Sequence, residues 1–166
     1  MTTPGYSGGV GAQDYVAQID RLLAAAGAVF PDPSQRPELP AWEGPTLEPP
    51  PSGGGGLAER ATESADTYNR MVSEAATQDA AVRETLAAMI DAVQRGSRDM
   101  EALRDAARAQ AAGILPEKSD GKAPEELKLL TETMDERLGA AQTVIASTRA
   151  ALEQAAQQLR AITGST

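Results

Sequence analysis

The chain has 166 residues, with 15 Lys+Arg against 24 Asp+Glu, no Cys and no His, for a net charge of -9. Those absences exclude a thiol nucleophile, a His-based triad and a Cys/His zinc site, and an acidic chain with one Trp, three Tyr and one Phe is unsuited to a phosphate backbone. No apolar run approaches the roughly 18 residues of a membrane span, so neither nucleic acid nor a membrane span is expected.

Residues 1–30 form an N-terminal segment with one short amphipathic stretch. Val16, Ile19, Leu23, Ala26 and Phe30 recur at spacings of 3 and 4, which places them on one helical face. The pattern predicts a helix over Ala12 to Val29, stopped by Pro31, with Gly27 weakening its last turn. No basic residue precedes Arg21 and no apolar core region is present, so a Sec-type signal peptide is not expected.

Residues 31–56 form a Pro/Gly-rich linker. Eight of the eleven prolines lie between Pro31 and Pro51, and Gly53 to Gly56 is a four-glycine run. Such a segment cannot be helical; it is stiff in its proline part and flexible at its glycine end. The glycine run lacks the Lys-Ser/Thr and the preceding strand of a phosphate-binding loop. Pro37-Glu38-Leu39-Pro40 has polyproline-II ligand spacing, which arises easily in a linker of this composition. Trp42, the only tryptophan, is costly to leave in water and is expected to dock on this chain's own helices or on a partner.

Residues 57–163 carry the most information. From Ala58, alternating steps of 3 and 4 pick out Ala61, Ala65, Tyr68, Val72, Ala75, Asp79, Val82, Leu86, Met89, Val93, Gly96, Met100, Leu103, Ala107, Gln110 and Ile114, a seam with only three non-apolar or glycine positions. A sustained 3.5-residue repeat predicts a coiled-coil-like helix over 57–112. A second seam (Leu127, Thr131, Met134, Leu138, Ala141, Ile145, Thr148, Leu152, Ala155, Leu159 and Ile162) predicts another over 124–163. Between them, 113–123 reads as a loop, with Gly113 placed to cap the first helix, Pro116 to stop it, and Pro124, Glu125 and Glu126 to open the second.

The fold class is therefore all-α: an antiparallel two-helix coiled-coil-like hairpin, a short N-terminal amphipathic helix and a Pro/Gly-rich linker. Pairing Ile114 with Leu127 sets Gly96 against Ile145 and Gln110 against Thr131, large residues mostly meeting small ones. The second helix then ends beside Asp79. Leu57 to Gln78 is left overhanging by on the order of 30 Å, its seam wet unless the N-terminal helix folds onto it or another chain covers it. Met71, Met89, Met100 and Met134, at or beside the seams, read as core filler.

The carboxylates Asp99, Glu101, Asp105, Asp135 and Glu136 share helix faces with Arg95, Arg98, Arg104, Arg108 and Arg137, the spacing of solvated ion pairs rather than of an acid-base pair held in two different environments. No catalytic, cofactor-binding or metal residue is assigned, and no cofactor or enzymatic activity is expected. The residues expected to bind a partner are Tyr68, Met71, Val72 and Ala75, with Trp42 as an anchor.

The Ala/Gly-rich acidic helices without Cys, together with Trp42-Glu43-Gly44, resemble the small helical proteins associated with actinobacterial (mycobacterial) type VII, or ESX, secretion. That resemblance implies a helical hairpin that pairs with a second hairpin as a heterodimer or larger assembly, exported without a cleaved signal peptide. In the family the W-x-G lies in the turn between the helices, whereas here it precedes the first long helix. The Y-x-x-x-D/E secretion signal is absent, since Val10, Ile19 and Val72 follow Tyr6, Tyr15 and Tyr68 at the decisive position. The resemblance thus implies a signal-bearing partner. The expected function is a non-enzymatic helical interaction module at the cell envelope or in secretion, binding a helical protein or a copy of itself. The alternative is a cytoplasmic chaperone-like or regulatory protein whose acidic surface holds a basic client.

Overall fold

The computed structural model describes residues 11–32, 34–35, 37–40, 42–45, 52–115 and 123–164. These are all-α, with three helices: α1 (Ala12–Gly27), α2 (Gly56–Ile114) and α3 (Pro124–Thr163). Two compact units result, Met1–Gln35 with Asp91–Leu152 and Arg36–Ile90 with Glu153–Thr166. The two long helices contribute a segment to each. Among the described residues no helix is long and apolar enough to cross a membrane.

The first unit holds the core. Ile19 and Leu23 of α1, Met100, Ala107 and Ala111 of α2, and Leu130, Met134 and Ala141 of α3 form one buried cluster, with Tyr15, Val16, Phe30, Leu103, Leu138 and Val144 packed against it. Three amphipathic stripes thus converge, and alanine lets the backbones approach closely on α2. The N-terminal helix therefore docks on the segments flanking the interhelical loop.

A polar clasp fixes that position. The Arg104 guanidinium donates to Asp20 from Nε (2.8 Å) and Nη2 (2.9 Å), and Arg108, one turn on, donates to the same two oxygens at 2.7 and 3.1 Å. Two planar forks on one carboxylate fix both distance and orientation. The hydrogen bonds from Arg104 and Arg108 hold the Asp20 carboxyl well below the usual carboxylate range, against the opposing effect of burial. Because the folded value is depressed, the clasp's contribution is complete above the unfolded pKa of about 3.9 and is lost progressively as pH falls from there through the lower folded value. Asp20→Asn should therefore lose about 1 kcal/mol near neutral pH, as the side chain is a quarter exposed (25 %) and solvent-screened pairs contribute little more. Its stability should also fall less between pH 4 and acid unfolding than that of the parent, which urea titrations at several pH values would register.

Helix α1 ends at Gly27, two residues before the expected end at Val29. After Gly27 the bonds tighten to Val29 N–H on the Ala26 carbonyl and Phe30 N–H on the Gly27 carbonyl, the usual economy of a last turn facing a proline. This turn delivers Phe30 to Gly96, where an added Cβ would lie 2.6 Å from both Phe30 Cε1 and Thr148 Oγ1. Beyond it, Ser34 donates from N–H and Oγ to the Asp32 carboxylate, which lowers the Asp32 pKa.

The interhelical register differs from expectation. Gly96 faces Thr148 rather than Ile145. Gln110 Oε1 accepts from Arg137 Nε at 2.8 Å, while Thr131, its expected partner, donates to its own helix at Leu127 O. Near the start of α3, Leu130 is 1 % exposed whereas Leu127 is 38 % exposed. A third helix is the cause: α3 must present Leu130 and Met134 to α1 as well as to α2, which rotates its first turns away from the two-helix seam. From Met134 onward the expected seam positions face inward.

Gly113 does not cap α2. It lies inside the last turn, and Leu115 N–H continues the ladder to the Ala111 carbonyl at 2.9 Å. Pro116 and the rest of the expected loop to Lys122 lie outside the described residues. Among the described residues only Gly55 has a left-handed φ, at 122°. Its carbonyl accepts from Ala58 and Glu59 and opens α2, a conformation that glycine adopts without steric penalty.

Candidate interaction surface

The second unit has almost no core. Among its described residues only Thr85 on α2 and Ala155 on α3 are buried, and no residue from Ser52 to Glu84 is. The long helix is nonetheless regular through this stretch, because Ala, Glu, Arg and Met are strong helix formers and no Gly or Pro interrupts Leu57 to Arg95. Thr62 and Thr77 return their hydroxyls to the carbonyls one turn back, at Ala58 and Ser73.

Along it, Ala58, Ala61, Ala65, Tyr68 and Val72 are half-buried and Ala75 is exposed. Met71, read from the sequence as core filler, is 62 % exposed, because it flanks the seam rather than sitting on it. Leu57, at the start of the helix, is 87 % exposed. Tyr68 and Met71 line a shallow furrow with Arg60, Glu63, Ser64 and Thr67, and Val72 and Ala75 continue the stripe within two turns.

Trp42 does not line that furrow. Its indole lies over Gly44, with ring atoms 2.7 and 2.8 Å from where a Cβ would stand, and the residue is 40 % exposed. The Trp-x-Gly spacing is thus a local lid: the ring needs the missing side chain two residues on. Four of the five expected partner-binding residues therefore share one helix face, and the fifth packs on its own turn.

The uncharged stripe ends at Asp79, which occupies a seam position and pairs with Arg83 (Nε–Oδ2 2.8 Å), both side chains about one-third exposed (31 % and 35 %). The pairing at four-residue spacing lets a carboxylate sit on the seam.

The dense carboxylates share one kind of environment. Asp99, Glu101, Asp105, Asp135 and Glu136 are all exposed. Arg104 and Arg108 are drawn to Asp20, and Arg137 to Gln110, leaving Asp105 a long 4.0 Å pair with Arg108. Asp135 acts at a distance, adding to burial in pushing up the Tyr15 phenol. Among the described residues no group of three or more Asp or Glu is arranged to hold a metal ion.

The hydrophobic periodicity of the chain does not convey the clasp at Asp20. Its signal in the sequence is two arginines four apart beside the seam, facing an α1 stripe with a single acid next to Ile19. No protein-family model, curated protein or solved structure matches the chain.

Proposed function

We propose that the protein is a non-enzymatic helical interaction module that holds a helical partner on the N-terminal stretch of α2. The carrying observation is the unit lacking a core: an apolar seam runs through Leu57–Gln78, yet none of those residues is buried, and the described residues of the whole unit bury only Thr85 and Ala155. The N-terminal helix is already committed to the Met100–Leu130–Met134 cluster. In this reading the two long helices act as a coiled-coil-like hairpin, Tyr68, Met71, Val72 and Ala75 contact the partner, and the exposed part of Trp42, whose ring lies over Gly44, adds an anchor from the linker. The resemblance to type VII secretion proteins, carried by Trp42-Glu43-Gly44 and the helical style, supports a role in a secretion-associated helical assembly.

The test is affinity capture of the full chain and of Val72→Asp from the native cell, washed at high salt. A stoichiometric helical protein retained by the parent and lost with the variant, at unchanged helicity, is the expected result. Capture that disappears with salt and ignores Val72→Asp would instead favour a basic client on the acidic surface, because exposed charges are screened at high ionic strength.

A further inference from the structure

We propose that the occupant of this stripe is a second copy of the same chain, docked antiparallel about a two-fold axis between Asp66 and Thr67. The inference rests on the interaction-module reading and names its partner. Three observations carry it.

The first is charge placement. Taking Ala58 and Ala61 as the seam pair, every seam and flanking position from Leu57 to Gln78 is uncharged, including Thr62, Ser64, Asn69, Met71 and Ala76. All six charged residues of the stretch (Glu59, Arg60, Glu63, Asp66, Arg70 and Glu74) fall on the remaining, outward positions. A stretch meant to stay in water has no reason to keep half its circumference free of charge. A partner selected by charge would place Glu or Lys on the flanks.

The second is self-complementarity in size. In the antiparallel register Ala58 meets Ala75, Ala61 meets Val72 and Ala65 meets Tyr68, so each large side chain faces an alanine, and the two-fold repeats every layer. A parallel pair would stack Tyr68 on Tyr68 and Ala65 on Ala65, clashing at one level and leaving a void at the next. Slipping the antiparallel pair one heptad toward Asp79 would oppose Tyr68 to Val72 and drive Asp79 against Ala61. In the matched register Asp79 instead lies level with Gly54, beyond the start of the partner's helix at Gly56.

The third is continuity and extent. The stripe prolongs the α2 seam, and thirteen residues between Leu57 and Gln78 lie on it. Two such stripes bury on the order of 1,000 Å², the lower bound for a specific interface. A weak, concentration-dependent dimer follows.

The experiment uses the full chain. Sedimentation equilibrium up to submillimolar concentration should give a monomer–dimer equilibrium that Val72→Asp abolishes and Arg70→Glu, on the outward face, leaves unchanged. The chain has no cysteine, so single-cysteine variants report on register. A mixture of Ala65→Cys with Tyr68→Cys should form a covalent dimer under mild oxidation, and neither variant alone should do so as readily, because only the mixed pair brings the Cα atoms within about 7 Å. A monomeric mass throughout, rapid self-linkage of Ala65→Cys alone, or loss of helicity in Val72→Asp would each overturn the proposal. If the chain proves monomeric while Val72→Asp still loses a different helical protein in the capture experiment, only the second copy falls. If the variant changes neither, both readings fall.

Discussion

Replacing Leu23 with alanine is expected to cost the first unit about 2–5 kcal/mol, the range for deleting a fully buried aliphatic side chain whose surroundings relax only partly. Leu23 is 1 % exposed and lies in the cluster with Met100, Leu130 and Met134. It joins α1 to both long helices, so the loss should appear in two ways. Urea unfolding should shift to a lower midpoint at nearly constant slope. Amide exchange should accelerate first in Ala12–Gly27, because the variant leaves α1 attached mainly by Ile19 and the Asp20 clasp. An unshifted midpoint would mean that α1 does not dock where the cluster places it. Met134→Ala, at the same core, should cost a similar amount.

Gly96→Ala is the second large effect, and its sign opposes helix propensity. In an open helix position alanine gains up to about 1 kcal/mol over glycine. At Gly96 the new Cβ would stand 2.6 Å from Phe30 Cε1 and from Thr148 Oγ1. Overpacking of this kind costs typically about 1–3 kcal/mol, so a net destabilisation of about 1 kcal/mol or more is expected. Gly139, inside α3 with nothing within 4 Å of its Cβ position, is the matched control. Gly139→Ala should stabilise by roughly 0.5–1 kcal/mol. Paired thermal melts of the two variants, moving in opposite directions, would separate close packing from propensity. A gain in both would show that Phe30 swings away at no cost.

Much of the fold is legible in the sequence because the long helices carry one signal repeated many times. Along α2 only Ala75 of the seam positions is exposed, and breakers are concentrated before Leu57 and around Pro116. What the sequence does not convey is which groove α1 chooses. Val16, Ile19, Leu23, Ala26 and Phe30 would suit any apolar seam. The choice is made by two features of short range, the arginine pair facing Asp20 and the missing side chain at Gly96. The register shift has the same origin, since a reading of α2 and α3 as a pair has no term for a third helix that draws Leu130 inward. Of the expected surface residues, Tyr68, Val72 and Ala75 follow from periodicity. Met71 and Trp42 do not: one is a flanking residue, and the other is satisfied by the glycine two positions along.

The lone indole sits in one unit and the buried cluster in the other. Its emission follows the turn around Gly44, where the ring lies over the missing side chain. Circular dichroism, weighted by the 59 residues of α2 and 40 of α3, averages over both. Denaturation curves from the two optical probes should therefore separate rather than superimpose, with tryptophan changing first. A fit of either curve to a single transition would then assign one free energy to two distinct events.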